Sequence, residues 1–119
     1  MKEDLVYVEH ALECIARIEA YTGGGRSAFV GSTLIQDAVA RNLQVMAEST
    51  QRLSVNIKAG HPDVDWRGLA GFRNVLVHGY PGLNAQRIWD LVDTRLAALK
   101  TGMQRVREEL IADAKGDST

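Results

Sequence analysis

One cysteine and two prolines in 119 residues remove several possibilities at once. Cys14 has no intrachain partner, so no disulfide framework organises the fold, and its place in an apolar-periodic stretch reads as a buried structural thiol rather than a nucleophile. Scarce proline leaves long stretches free to be helical. No run approaches the roughly 18 apolar residues of a membrane span. The charged start Met1-Lys2-Glu3-Asp4 does not read as a signal peptide, so a cytoplasmic protein without membrane attachment is expected. No segment alternates polar and apolar residues as a half-buried strand would, and neither an internal repeat nor a low-complexity tract is present. His10 and His61 lack partners at ligand spacing, so no metal is expected. Gly23-Gly24-Gly25 lacks the flanking strand and Lys-Ser/Thr of a phosphate loop and reads as a hinge.

What is present is a nearly balanced charge of −1, unevenly spread. Residues 1–40 carry three basic and six acidic groups, residues 41–87 six and three, and residues 88–119 five and six. Indiscriminate nucleic-acid binding does not fit such a chain. The positive middle third is either chance scatter on a solvated surface or a patch that attracts phosphate.

Apolar spacing divides the chain into four helices. The first spans about 3–21, with Leu5, Val8, Leu12, Ile15 and Ile18 on one face. A second runs from about Ser32 to Lys58, its inner face drawn from Leu34, Ala38, Asn42 or Leu43, Val45 or Met46, and Leu53. A third covers about Trp66 to His78, capped by Asp63 or Asp65. The fourth follows Asn84 as cap, with the stripe Ile88, Val92, Leu96, Leu99, Met103, Val106 and Leu110. The expectation is an all-α fold, an antiparallel up-and-down four-helix bundle forming a single domain over 1–114, with a frayed tail over 115–119. The fourth helix is long and apolar enough to pack on a second copy as well as on its own core, and a dimer is expected.

The octet Arg73-Asn74-Val75-Leu76-Val77-His78-Gly79-Tyr80 concentrates the chemistry. At about 100° per residue, Arg73 falls inside the stripe of Trp66, Leu69, Ala70, Leu76 and Val77. An always-charged guanidinium there needs either a buried carboxylate or a cleft, because an unpaired buried charge costs several kcal/mol. Asp37, Arg41, Gln44 and Glu48 form a polar stripe on the second helix, and Glu48 or Asp37 is a candidate for that carboxylate. Arg67, Gly71, Asn74 and His78 form another stripe, where Gly71 would admit a close backbone. Asn74 shares a face with His78 and can fix its tautomer. Gly79 and Pro81 end the helix at His78, where the C-terminal dipole favours the protonated imidazole.

With its flanks, this octet resembles the HEPN superfamily and, within it, the HepT-like ribonuclease toxins. The signature of arginine, four residues, histidine, any residue and tyrosine is matched by Arg73, His78 and Tyr80. Residues 41–54 resemble the family's helix-two block, 66–80 its helix-three block and Ile88-Trp89 its helix-four match, so the similarity covers about 3–100. Where the family commonly reads isoleucine-glycine-glutamate-alanine, this chain has Met46-Ala47-Glu48-Ser49, which keeps Glu48 and widens the helix approach at Ala47. The resemblance implies a metal-independent endoribonuclease without cofactor, the toxin of a toxin-antitoxin system. It further implies a homodimer with the two signature segments facing one cleft. The partner implied is an MntA-like nucleotidyltransferase antitoxin, which silences the toxin by AMPylation of Tyr80.

The residue types fit cleavage of RNA, transfer or messenger, by its own 2′-hydroxyl. His78 can serve as base or acid and Arg73 offers a planar fork to two phosphate oxygens, with Asn74 and Glu48 in support. The alternative from a different class is a non-catalytic helical module that binds a nucleotide or serves as regulatory subunit of the nucleotidyltransferase.

Overall fold

A computed structural model describes residues 2–78 and 84–117, without the side chains of Lys2, Val75, Val77, His78 and Asp117. All of its regular structure is helical: α1 (Lys2–Tyr21), α2 (Gly25–Val30), α3 (Thr33–Gln51), α4 (Val55–Gly60), α5 (Trp66–His78) and α6 (Ala85–Asp117). The all-helical class stands, with six helices among the described residues in place of the four expected. None of the helices among the described residues is long and apolar enough to cross a membrane.

Long-range contacts show how the helices run. Asp4 meets Ser54 and His10 meets Ser49, so α1 is antiparallel to α3. Lys100 pairs with Glu19, and Arg107 with Glu9, so α1 is antiparallel to α6 as well. On its other side α3 packs against α5, which leans on α3 rather than on α6. The 33 residues of α6 set the long axis of the 53 × 27 × 20 Å molecule, because a helix that long spans about 50 Å.

The core is the shared interior of α1, α3 and α6. Val8, Ala11, Ile15 and Ile18 meet Val39, Leu43 and Met46 of α3 and Met103, Val106 and Leu110 of α6, all buried. The whole expected α6 stripe is buried except Leu99, which is half-buried. That stripe is therefore spent inside the chain and leaves no free apolar face of its own for a second copy. Lys115 and Gly116, at the expected start of a loose tail, belong to the end of α6.

Three expectations are corrected by packing. The glycine hinge at 23–25 is a tight turn into α2, with Gly25 at φ 85, a conformation costly for residues with a Cβ. The turn delivers Phe29, 1% exposed, against Trp89 of α6 with ring centroids 5.6 Å apart. Burying that ring contributes about 2–3 kcal/mol and ties this short helix to α6.

The expected second helix from Ser32 to Lys58 is broken after Gln51. Ser54 restarts it as α4, its hydroxyl accepting from Ile57 N at 3.3 Å while its own N–H donates to Asp4 Oδ1 at 2.8 Å. Leu53 turns into the core at the break. The α3 face is also wider than expected, since α3 is covered by α1 on one side and α5 on another. Val39, Ala40, Leu43, Met46, Ala47, Ser49 and Thr50 are buried, whereas Leu34, expected inside, is 79% exposed.

Candidate functional site

The local sequence builds α5 from a firm N-terminus. Asp65, one of the two expected caps, accepts from Gly68 N at 2.9 Å; Asp63 pairs instead with Arg105 of α6. A Cβ at Gly68 would sit 2.2 Å from Asp65 Oδ2, so glycine makes room for the capping carboxylate. Trp66 Nε1 donates to Lys58 O and His61 O at 3.1 and 3.0 Å, tying the first turn to the end of α4. From this anchor the helix carries Phe72, Arg73 and Leu76 along α3 and ends at His78.

Arg73 lies beside Glu48. Its Nε is 3.9 Å from Glu48 Oε1, and each side chain is 34% exposed. Gln44 Nε2 donates to the same Glu48 oxygen at 3.2 Å, which orients the carboxylate toward α5. Arg73 Nε is itself buried without a hydrogen-bond acceptor, while Nη1 reaches Asn74 Oδ1 at 3.4 Å. The guanidinium thus turns its inner edge to a carboxylate and keeps part of its outer edge in solvent. Both requirements of a charged group in an apolar stripe are met in part, since the carboxylate offsets the desolvation and the remaining exposure opens the charge to a ligand.

One turn further along α5, an open groove of about 420 Å³ runs between the helices, lined by Asp37, Ala40, Arg41, Gln44 and Leu76. The polar stripe of α3 therefore does not simply face solvent: one end holds Arg73 and the other borders this groove. Of the two candidate carboxylates, Glu48 is the one beside Arg73, and Asp37 lines the groove. Arg41 and Gln44 had no site role in the sequence reading. Their spacing of seven and four residues from Glu48 was the available signal.

Asn74, like Arg67 and Gly71, is exposed. A Cβ at Gly71 would meet nothing within 4 Å, so the close backbone approach expected there does not occur within this chain. The side chain of His78 and all of Tyr80 lie outside the described residues.

Other reactive groups are engaged in packing. Cys14 is 1% exposed, and burial raises its thiol pKa above the ordinary value, with Arg17 acting to lower it and Glu13 to raise it. Such a thiol is poorly nucleophilic near neutral pH. His10 Nδ1 is 3.1 Å from Ser49 Oγ, and His61 is bonded to Glu109 across the α4–α6 contact. Among the described residues no group of three or more His, Cys, Asp or Glu side chains is placed to hold a metal ion. A second cavity of about 310 Å³ lies between α3, α5 and α6, lined mainly by apolar residues such as Met46, Leu69, Phe72 and Leu91.

A family model described as "Ribonuclease HepT-like" matches residues 11–106. The chain is 30% identical over 112 residues to a protein of Methanocaldococcus jannaschii named "Gamma-glutamylcyclotransferase and putative RNase", which covers 92% of this chain and 50% of that protein. It thus spans half the length of that relative. It is 29% identical over 110 residues to a "Putative RNase" of Caldanaerobacter subterraneus subsp. tengcongensis, covering 92% and 98% of the two chains. A "Probable ribonuclease HepT" of Thermococcus cleftensis is 29% identical over 103 residues, covering 86% and 94%. No solved structure matches.

Proposed function

Because this chain belongs to the HepT-like ribonuclease family, we propose that it is an endoribonuclease toxin that cleaves RNA without a metal, with Arg73 and His78 as its catalytic residues. The observation that carries the reading is the setting of Arg73. A guanidinium is held by its inner edge against Glu48, is partly open to solvent, and stands five residues before a histidine that ends the same helix. A residue needed only for packing would not justify placing a permanent charge in an apolar stripe.

In this mechanism the substrate supplies the nucleophile. A His78 imidazole takes the proton of a ribose 2′-hydroxyl, the 2′-oxygen attacks the adjacent phosphorus, and the bond to the 5′-oxygen breaks as that oxygen receives a proton from a second imidazole. The products are a 2′,3′-cyclic phosphate and a 5′-hydroxyl. Arg73 spreads positive charge over the non-bridging oxygens of the five-coordinate phosphorus. Five residues on an ideal helix are about 140° apart, so Arg73 and His78 of one helix do not share a face. A symmetric dimer with two α5 ends at one cleft supplies both imidazoles and resolves that separation. The exposed stripe of Arg67, Gly71 and Asn74, open at Gly71, is compatible with a second copy approaching α5.

Tyr80 is the proposed point of control. Addition of AMP to its hydroxyl by a nucleotidyltransferase antitoxin would bring phosphate charge beside the cleft and repel the RNA backbone. Tyr80→Phe is expected to keep RNA cleavage and to escape this silencing.

The test is cleavage of transfer and messenger RNA in excess EDTA by wild type, Arg73→Ala and His78→Ala of matched helicity. Intact mass must first confirm that Tyr80 carries no AMP. Cleavage by wild type alone supports the proposal. Inert wild-type protein would overturn it in favour of a non-catalytic module.

A further inference from the structure

α5 leans on α3 and not on α6, yet α5 and α6 both turn apolar side chains toward the cavity between them. Leu69 and Phe72 come from α5, and both are half-buried. From α6 come Leu91, Arg95 and Ala98, spaced by four and three residues. That set lies about 100° round the helix from Val92, Leu96 and Leu99, so it is a second face beside the stripe that closes the core. Leu43 and Met46 of α3, both buried, supply the floor, and the segment 63–65 adds a wall where α5 begins. The cavity holds about 310 Å³, at the lower end of the range for small-molecule sites and about twice the ~150 Å³ of an apolar cavity that takes up one benzene ring.

The polar side chains on its wall are already engaged. Asp63 pairs with Arg105, and Asp65 accepts from Gly68 N at 2.9 Å and stands 3.7 Å from Arg95. Thr94 Oγ1 donates to Asp90 O at 2.6 Å. All four wall residues, Asp63, Asp65, Thr94 and Arg95, are exposed and stand at the rim. A charged occupant would give up its water inside for apolar surface alone, which is costly, whereas a neutral one would not. The polarisable thioether of Met46 and the ring of Phe72 both favour an aromatic occupant.

We propose that this cavity is a binding site for a small neutral aromatic molecule of two fused rings, held between α5 and α6 over Met46. The inference does not depend on the ribonuclease reading. Phe72 on the cavity wall directly precedes Arg73, so an occupant bears on the helix that presents that guanidinium.

The test uses indole as the probe. The chain has three methionines, so labelling their methyl carbons gives a short set of NMR signals, assigned with Met46→Leu and Met103→Leu. Met46 lines the cavity, whereas Met103 belongs to the core between α1 and α6. Indole is expected to shift the Met46 methyl saturably, with a Kd of about 0.1–1 mM for so small a ligand, and to leave Met103 in place. At about ten times that Kd the melting temperature should rise by about 5 °C. Ala98→Trp, which fills the mouth from an exposed position, should weaken binding about 10-fold or more. Leu34→Ser, which removes an exposed leucine outside the cavity, should bind as wild type does. Indole-3-carboxylate and tryptamine, an anion and a cation at neutral pH, should each bind about 10-fold more weakly than indole.

No saturable Met46 shift at concentrations several times the upper expected Kd would overturn the inference. So would binding that Ala98→Trp leaves intact, or charged analogues that match indole. A Met46 shift that tracks self-association of the protein, with indole then excluded, would also overturn it and would assign the cavity to a second copy of the chain.

Discussion

Replacing Glu48 by glutamine should separate stability from catalysis. Two unit charges about 4 Å apart attract by roughly 4 kcal/mol at an effective dielectric of 20. Here the pair is 3.9 Å apart with both side chains a third exposed, so solvent screening and side-chain ordering offset most of that. The net contribution is about 1 kcal/mol or less. The amide of Glu48→Gln keeps a carbonyl oxygen for Gln44, so that hydrogen bond survives. Thermal unfolding should therefore shift by no more than about 3–5 °C. Catalysis should suffer more, because Arg73 loses the charge that fixes its inner edge and its guanidinium can rotate away from the phosphate. A fall in kcat/KM of about 10- to 100-fold is expected, equivalent to about 1.4–2.7 kcal/mol of transition-state stabilisation, borne mainly by kcat. Glu48→Asp, which keeps the charge on a shorter arm, should recover part of it. The assay is initial-rate cleavage of a fluorogenic RNA in EDTA, with circular dichroism and a thermal melt on the same preparations. Kinetics within two-fold of wild type would refute the role given to Glu48. So would an equal activity loss in Val39→Ala, a core variant remote from the charge, brought to the same melting temperature.

Three further outcomes follow from the packing. Asp4→Ala removes the acceptor of Ser54 N–H where α4 begins, and should cost about 1–3 kcal/mol in urea unfolding. An unchanged midpoint would show that the break between α3 and α4 does not depend on this bond. Met103→Ala empties a fully buried site between α1 and α6 and should cost about 2–5 kcal/mol; a loss under 1 kcal/mol would mean that the core closes around the gap. Cys14 should resist a disulfide reagent at pH 8 in the native state and react once denatured. Because burial raises its pKa, the stability linked to the neutral thiol is complete below the unfolded thiol pKa and lost as pH rises through the folded value. Cys14→Ala should therefore flatten the alkaline limb of the stability profile, and an unaltered limb would contradict this.

Much of the helical layout was legible in the residues because it is decided locally. Trp66 to His78 is read correctly from apolar spacing, since Asp65 caps its start with its own side chain. Asn84 caps α6 in the same way through Arg87 N at 2.9 Å, and the apolar stripes of α1 and α6 are those that pack. Arg73 could be singled out for the same reason, as a permanent charge in an apolar period. Contacts between distant segments were not legible. The break after Gln51 is met by Asp4, fifty residues before Ser54, and no proline or glycine marks it. The burial of α3 on two sides widened its inner face and left Leu34 outside, a difference of phase that periodicity in one helix does not resolve. Only packing of α5 on α3 decided that Glu48 stands by Arg73 and that Arg41 borders the groove beyond it. Sequence alone determined which residues carry the charge and where the four longer helices begin. Tertiary structure decided which carboxylate meets the guanidinium, because side chains on different helices become neighbours only when their shared apolar faces close.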